Sequence, residues 1–263
     1  MKKFLVIGNP IEHSLSPILH NYWIKKNTLN AVYNKKKLDL SDLENLIKEV
    51  KEKKIDGINV TVPFKNSIIP FLDKLSEEAK KTQSVNTIYL KDKMVVGHNT
   101  DIEGFELAIK STNYDLIGKK VLLLGAGGVS SSIIVALKNM QVNKIFLSNR
   151  THFKAQNLKK IFNELEIVEW GKIPDFDMII NATSLGLNND DIIDLDYTKI
   201  GADKFFYDII YNPPETSFLK LAKEKGNKTE NGIKMFVYQA QASFKIWNNV
   251  VPQIDNEVME LLN

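Results

Sequence analysis

The sequence predicts an α/β protein of two domains, an N-terminal α/β domain followed by one built as a βαβ series. Short apolar runs alternate with helical patterns from end to end, the order expected of mixed strand and helix layers. The chain has 263 residues, enough for two hydrophobic cores. One run, Val121-Leu122-Leu123-Leu124, is apolar without interruption, as strands buried on both faces of a parallel sheet are.

Phe4-Leu5-Val6-Ile7 reads as the first strand, and Ser16-Pro17 as a cap with a first-turn proline opening a helix. Ser41 and Glu44 have capping-box spacing ahead of Leu46, Ile47 and Val50. Ile55 to Val62 is the next strand, Glu77-Glu78-Ala79 lies in a helix, and Asn86 to Val96 forms a hairpin turning near Asp92. A helix through Phe105, Leu107, Ala108 and Ile109 follows Asp101. The second segment reads as strand Val121–Leu124, helix near Ser130–Asn139, strand Lys144–Leu147, helix near Lys154–Phe162, and strands Asp177–Asn181 and Phe205–Ile210. The domains are expected at 1–100 and 101–236, with helices in 237–263 returning to the first domain. Asp190, Asp191, Asp194 and Asp196 read as solvated surface.

Composition excludes several functions. With 35 basic residues against 32 acids spread along the chain, the basic footprint of a nucleic-acid binder is missing. The absence of cysteine rules out disulfides, thiolate metal sites and cysteine nucleophiles. His13, His20, His98 and His152 show no metal-ligand spacing, so no metal is expected, and no nucleophile elbow occurs. No apolar run is long enough to span a membrane and the N-terminal one is too short for a signal peptide, so a soluble, cytoplasmic protein is expected. Of the 35 strong bases, 34 are lysine and one, Arg150, is arginine.

Gly125-Ala126-Gly127-Gly128 ends a strand and opens a helix, which suits a dinucleotide: glycine lets the backbone approach a pyrophosphate placed at a helix N-terminus. The third small residue is Ser130 in place of glycine. The next strand ends in Asn149-Arg150-Thr151, with Lys154 one turn on, and carries no acid to hold a ribose 2′-hydroxyl. An arginine fork grips a phosphate in a way lysine does not reproduce, so NADP is expected over NAD.

The first domain places Ser14 and Ser16 two apart, so an extended backbone would point both hydroxyls one way. Asn59 and Thr61 share parity at a strand end, Pro63-Phe64-Lys65 follows, and Asn99-Thr100-Asp101 closes the hairpin. Gly8 to Pro17 with Leu19-His20-Asn21, and Asn59-Val60-Thr61-Val62-Pro63-Phe64-Lys65, resemble signatures of the shikimate dehydrogenase family. The resemblance continues through Val85-Asn86-Thr87, Gly97 to Asp101 with Gly104, Gly125 to Gly128, Asn149 to Thr151, Asn181 to Gly186, Asp208 with Tyr211 and Pro213, and Gln239-Ala240.

The resemblance implies NADP-dependent, reversible oxidation of shikimate to 3-dehydroshikimate on the way to chorismate and aromatic amino acids. It implies that Lys65 and Asp101 are the catalytic pair and that Ser14 and Ser16 hold the substrate carboxylate. Asn59, Thr61, Asn86, Asp101 and Gln239 would take ring hydroxyls, with Tyr211 close by. Glu77, Gly125, Ala126, Gly127, Gly128, Val129, Asn149, Arg150, Thr151, Lys154, Thr183, Ile209 and Gly232 match cofactor positions of the family. A homodimer is common in similar proteins, and no interface is legible here. Lys65 can remove the hydroxyl proton only when neutral, whereas a neighbouring carboxylate favours its charged form; base on oxidation and acid on reduction both stay open. A broader shikimate/quinate dehydrogenase is the neighbouring reading, and a nucleotide-binding metabolite sensor would have no use for Lys65 and Asp101 together. The chain departs from the family pattern at Gln83-Ser84 where Gly-Ala is usual, Lys154 for arginine, Ile209 for methionine, and Met235-Phe236 for Met-Leu.

Overall fold

A computed structural model describes residues 1–188 and 191–262, so Asp190 lies outside the described residues. The chain divides into two compact units, Met1–Gly104 with Val237–Asn263, and Phe105–Phe236.

The first unit holds β1 (Lys2–Gly8), α1 (Ser16–Lys26), β2 (Ala31–Lys37), α2 (Leu43–Lys51), β3 (Gly57–Val60), α3 (Phe64–Ser67), β4 (Lys74–Leu75), α4 (Glu77–Thr82), β5 (Thr87–Lys91) and β6 (Met94–His98). Helix α5 (Asp101–Lys110) begins at its end. Its six strands lie in the order β2-β1-β3-β5-β6-β4, parallel except where β5 pairs antiparallel with β3 and β6. Leu43, Leu46, Ile47 and Val50 are spaced i, i+3, i+4, i+7, so α2 turns one apolar stripe onto the sheet beside Ile58, Val60 and Phe64. Asp92 and Lys93, both at positive φ, turn the β5–β6 hairpin in two residues without glycine.

The second unit holds β7 (Lys120–Leu124), α6 (Ser130–Asn139), β8 (Lys144–Ser148), α7 (His152–Ile161), β9 (Glu166–Val168), β10 (Met178–Asn181), β11 (Phe205–Asp208), α8 (Ser217–Glu224) and β12 (Lys228–Glu230). All its strands are parallel, in the order β12-β11-β10-β7-β8-β9. The order reverses between β7 and β10, the point in doubly wound sheets where ligands settle. Helices α9 (Ile233–Asn248) and α10 (Asn256–Leu262) close the chain. Trp247 of α9 fixes the returning segment: its indole N–H donates to the Ile88 carbonyl at 3.1 Å and its ring stacks on Phe4 at 4.9 Å. A Cβ on Gly57 would lie 2.3 Å from that indole nitrogen, so only glycine fits there.

Three local expectations are corrected. Leu15, not Ser16, is the N-cap of α1, and Ser16 is its first residue. Leu15 is in the helical region, so Ser14 and Ser16 are not on extended backbone; the Ser14 hydroxyl accepts from the Ser16 N–H at 3.3 Å instead. The capping box sits at Asp39 and Asp42, where the Asp42 carboxylate accepts from the Asp39 N–H at 2.8 Å, because a 3-10 turn precedes α2. Strands β2, β4, β9 and β12 and helices α3 and α8 add to the elements read from the sequence.

His20 of α1 lies 1% exposed, stacked on Tyr33 at 4.2 Å and flanked by Trp23, Phe244 and Trp247, with no hydrogen-bond partner for either ring nitrogen among the described residues. Burial pushes its imidazole down to about 3 from the ordinary 6.5. The unfolded chain takes up this proton near 6.5, so the stabilisation is complete above that pH and is lost as pH falls towards 3. Urea unfolding at pH 5 should therefore show about 2 kcal/mol less stability from this group than at pH 7.5, at ~1.4 kcal/mol per pH unit. His20→Phe should flatten that part of the profile; an unchanged slope would assign the loss to other groups.

Candidate functional site

The run Asn99-Thr100-Asp101 builds the candidate site of the first unit one residue at a time. The Asn99 side-chain oxygen accepts from the Asp101 N–H at 3.1 Å, capping α5, while its amide nitrogen donates to the Ser84 carbonyl at 2.9 Å. The Thr100 backbone N–H donates to the Asn86 side-chain oxygen at 2.8 Å. A backbone N–H can only donate, so the Asn86 oxygen must face it and the Asn86 NH2 must face away. That NH2 donates to Asp101 Oδ1 at 2.9 Å. Lys65 Nζ donates to the other oxygen, Oδ2, at 2.6 Å, with the two side chains 11% and 7% exposed. Lys65 is delivered by the single turn of α3, and its carbonyl accepts from the Val85 N–H at 2.8 Å, tying it to the turn before Asn86. Asp101 thus receives a hydrogen bond on each oxygen, and the partly buried ion pair has little water to screen it.

Other residues expected at this site divide into two groups. Ser14, Thr61 and Gln239 are partly exposed, and the Gln239 side-chain oxygen accepts weakly from Asn86 at 3.4 Å. Ser16 begins α1, whose N-terminal end favours an anion. Asn59 is 7% exposed and differently employed: its oxygen accepts from the Tyr33 hydroxyl at 2.7 Å, and its NH2 donates to the Asn86 carbonyl at 3.1 Å and Ser243 Oγ at 3.0 Å. Both amide hydrogens are taken, which leaves one lone pair on the oxygen for anything else. Ser243, which sequence reading missed, also meets Thr87 Oγ1 at 2.8 Å. Gln239, Ser243 and Trp247 recur every fourth residue on one helix, and that spacing was the available signal.

In the second unit the glycine-rich turn has the shape a phosphate needs. Gly125 has φ +107°, and a Cβ there would lie 2.7 Å from the Ala182 carbonyl oxygen across the β7–β10 reversal point. A Cβ on Gly127 would meet no atom within 4 Å, so this stretch of backbone is open to a ligand. Ser130 Oγ donates to the Gly125 carbonyl at 2.9 Å and accepts from the Gly127 N–H at 3.0 Å, a clip that explains serine at the third position of the fingerprint. Asn149 accepts from the Ala126 N–H at 2.9 Å and donates to the Thr151 carbonyl at 2.8 Å, joining the turn to the end of β8. Arg150 and Lys154 are exposed beside it, and neither has an ion pair among the described residues. Gly128 and Val129 complete the turn into α6.

The remaining positions expected to meet the cofactor are Thr183 after β10, Ile209 after β11, and Gly232, where a Cβ would lie 2.0 Å from the Ile209 carbonyl oxygen. Tyr211 stacks on Phe236 at 4.7 Å, and burial pushes its phenol up to about 12. Glu77 opens α4 of the first unit and is ion-paired with Lys80 at 2.8 Å. Asp208 is fully buried, and that burial pushes its carboxyl up to about 6 even though it accepts three hydrogen bonds.

Comparison with known proteins follows the same division. Residues 6–88 match the model of the shikimate dehydrogenase substrate binding domain, and residues 106–210 match that of shikimate / quinate 5-dehydrogenase. A shikimate dehydrogenase (NADP(+)) of Pelagibacter ubique is 61% identical over 262 residues, covering 100% of this chain and 99% of the relative. The crystal structure of shikimate dehydrogenase from Aquifex aeolicus is 40% identical with a TM-score of 0.92, covering 100% of this chain and 97% of that one. That of shikimate 5-dehydrogenase from Thermus thermophilus in complex with NADP(H) and shikimate is 32% identical, with a TM-score of 0.90 over 100% of this chain and 98% of that one.

Gln83, in the turn between Lys65 and Asn86, has φ +48°, a conformation that costs a non-glycine residue about 1–2 kcal/mol. Its side chain recovers part by donating to the Lys80 carbonyl at 2.7 Å. Gln83→Gly should therefore raise stability by about 1 kcal/mol, read as a higher Tm. A lower Tm would mean that this side-chain bond outweighs the backbone strain.

Proposed function

The chain belongs to the shikimate dehydrogenase family, and from that premise we propose that it catalyses the NADP-dependent, reversible oxidation of shikimate to 3-dehydroshikimate. The observation that carries this reading is the Lys65–Asp101 pair, with Asp101 locked by Asn86. NADP, when bound, accepts the hydride from ring carbon C3. The open backbone at Gly127, the absence of an acid at the end of β8 and the unpaired fork of Arg150 suit its pyrophosphate and 2′-phosphate.

As the hydride leaves C3, the C3 hydroxyl must lose its proton, and Lys65 Nζ in its neutral amine form, having first given a proton to solvent, is the group we assign to take it. Asp101 Oδ2 attracts the positive charge that grows on Nζ and holds the amine in place, while Oδ1 stays anchored to Asn86. In reduction, Lys65 returns the proton to the carbonyl oxygen. Ser14 and Ser16, at the N-terminal end of α1, take the substrate carboxylate without an arginine. Thr61, Asn86 and Gln239 take ring hydroxyls, and Asn59 holds Asn86 and Ser243 beneath them. The same reading makes the chain a cytoplasmic biosynthetic enzyme and a homodimer, the latter checked by light scattering on the purified protein.

Lys65→Ala should lower kcat by about 10²–10⁴-fold, the usual contribution of a positioned proton-transfer group, while NADPH binding stays within twofold. Turnover near that of the unsubstituted chain would remove Lys65 from the chemistry. Arg150→Ala should raise KM for NADP by about tenfold or more and leave KM for NAD nearly unchanged. Equal weakening of both cofactors would show that Arg150 does not read the 2′-phosphate. Rates with shikimate and quinate, each with NADP and NAD, test the whole reading: shikimate with NADP should be the fastest combination, and no turnover in any of them overturns it.

A further inference from the structure

Asp208 is the buried charge that the reaction above does not use. It ends β11 and faces Asn181, the last residue of β10, in register across the parallel pair, so both lie at the carboxyl ends of strands, where open α/β sheets bind ligands. The side chain is fully buried, and no lysine or arginine pairs with it among the described residues. It is held by three donors from three separate segments. Asn181 Nδ2 donates to Oδ1 at 3.0 Å, the Ile210 backbone N–H donates to the same oxygen at 3.0 Å, and the Thr216 hydroxyl donates to Oδ2 at 2.7 Å.

The Asn181 segment and the turn that carries Ile210 each lead towards an expected cofactor position. Asn181 is fixed on one side by Asp208, and on the other its side-chain oxygen accepts from the Thr183 N–H at 3.0 Å and the Thr183 hydroxyl at 2.7 Å. The Thr183 hydroxyl in turn accepts from the Leu185 N–H at 3.0 Å, and the Asn181 NH2 reaches the Leu185 carbonyl at 3.0 Å. Thr183 therefore sits two hydrogen bonds from the Asp208 carboxylate. Ile209 is the next residue in the chain after Asp208; its N–H donates to the Asn181 carbonyl at 3.0 Å, and its own carbonyl is pressed by the Gly232 backbone. Thr216 caps α8 and packs its methyl against Gly186, where a Cβ would come within 3.2 Å.

We propose that Asp208 is a positioning residue for the cofactor, holding the turns after β10 and β11 in the shape that presents Thr183 and Ile209 to NADP. A carboxylate suits this place because it alone accepts all three donors at once. An asparagine would accept the Asn181 and Ile210 bonds but would turn its NH2 to Thr216, whose hydroxyl would have to become the acceptor and leave its own hydrogen without this partner. The inference rests on the reading that this unit binds NADP.

The test is Asp208→Asn, close to isosteric, measured by fluorescence titration of NADPH binding as well as by turnover. The expected result is a Kd for NADPH and a KM for NADP raised about tenfold, with KM for shikimate within twofold and a cooperative thermal transition retained. Thr216→Val, which removes one donor and leaves the carboxylate, should fall between the two. Thr183→Val should resemble Asp208→Asn, and the double variant should be no weaker than the weaker single one, since both break one chain of bonds. NADPH affinity within twofold in Asp208→Asn, or effects that simply add in the double variant, would overturn the proposal. An unsubstituted chain that binds NADPH without oxidising shikimate would refute the assigned reaction and leave this inference standing; one that does not bind NADPH refutes both.

Discussion

Asn86 has one carboxamide, and its orientation governs the chemistry available in the first unit. The Thr100 N–H can only donate, so it claims the amide oxygen and directs the NH2 group at Asp101. Asp101 then presents its other oxygen to Lys65, and the ion pair follows from a backbone hydrogen bond one residue before the helix start. Behind Asn86 the polar layer continues without a break through Thr87, Ser243, Asn59 and Tyr33. Such layers are stabilising only when every member is satisfied, and this one is. It ties β3, β5 and α9 to one another at the place where another rotamer would turn the Asn86 NH2 away from Asp101.

The second unit solves a different problem with smaller parts. A phosphate needs bare backbone and fixed N–H groups, so the turn after β7 is held from below by Ser130 and from the side by Asn149, while Gly127 stays uncovered. Rigidity is supplied by uncharged side chains, and the one arginine is exposed with no ion pair among the described residues. In the first unit, by contrast, the charges themselves are buried and paired.

Much of this was legible in the sequence, for reasons that differ by residue. The uninterrupted Val121–Leu124 run announces a strand covered on both faces, and Gly125 announces a turn only glycine can make. Asn149 and Arg150 follow from strand order alone. Asn59 was legible as a polar residue at a strand end, but its engagement by Tyr33 and Ser243 was not, because those partners lie 26 and 184 residues away and no local pattern links them. Ser14 and Ser16 were read with the wrong backbone, since a helical Leu15 between them leaves no trace in a two-residue spacing. The short strands β4, β9 and β12 escape because two or three residues cannot show a period.

Those same short strands, with β2, form the free margins of both sheets. Three of the four margins offer only two or three residues of unpaired backbone, too little to template another strand. The fourth, β2, is seven residues long, and its exposed end is Lys35-Lys36-Lys37. A second molecule laid antiparallel along it near that end would bring lysine against lysine. Part of the lysine excess thus falls where positive charge opposes the addition of a further strand to the longest open edge of either sheet.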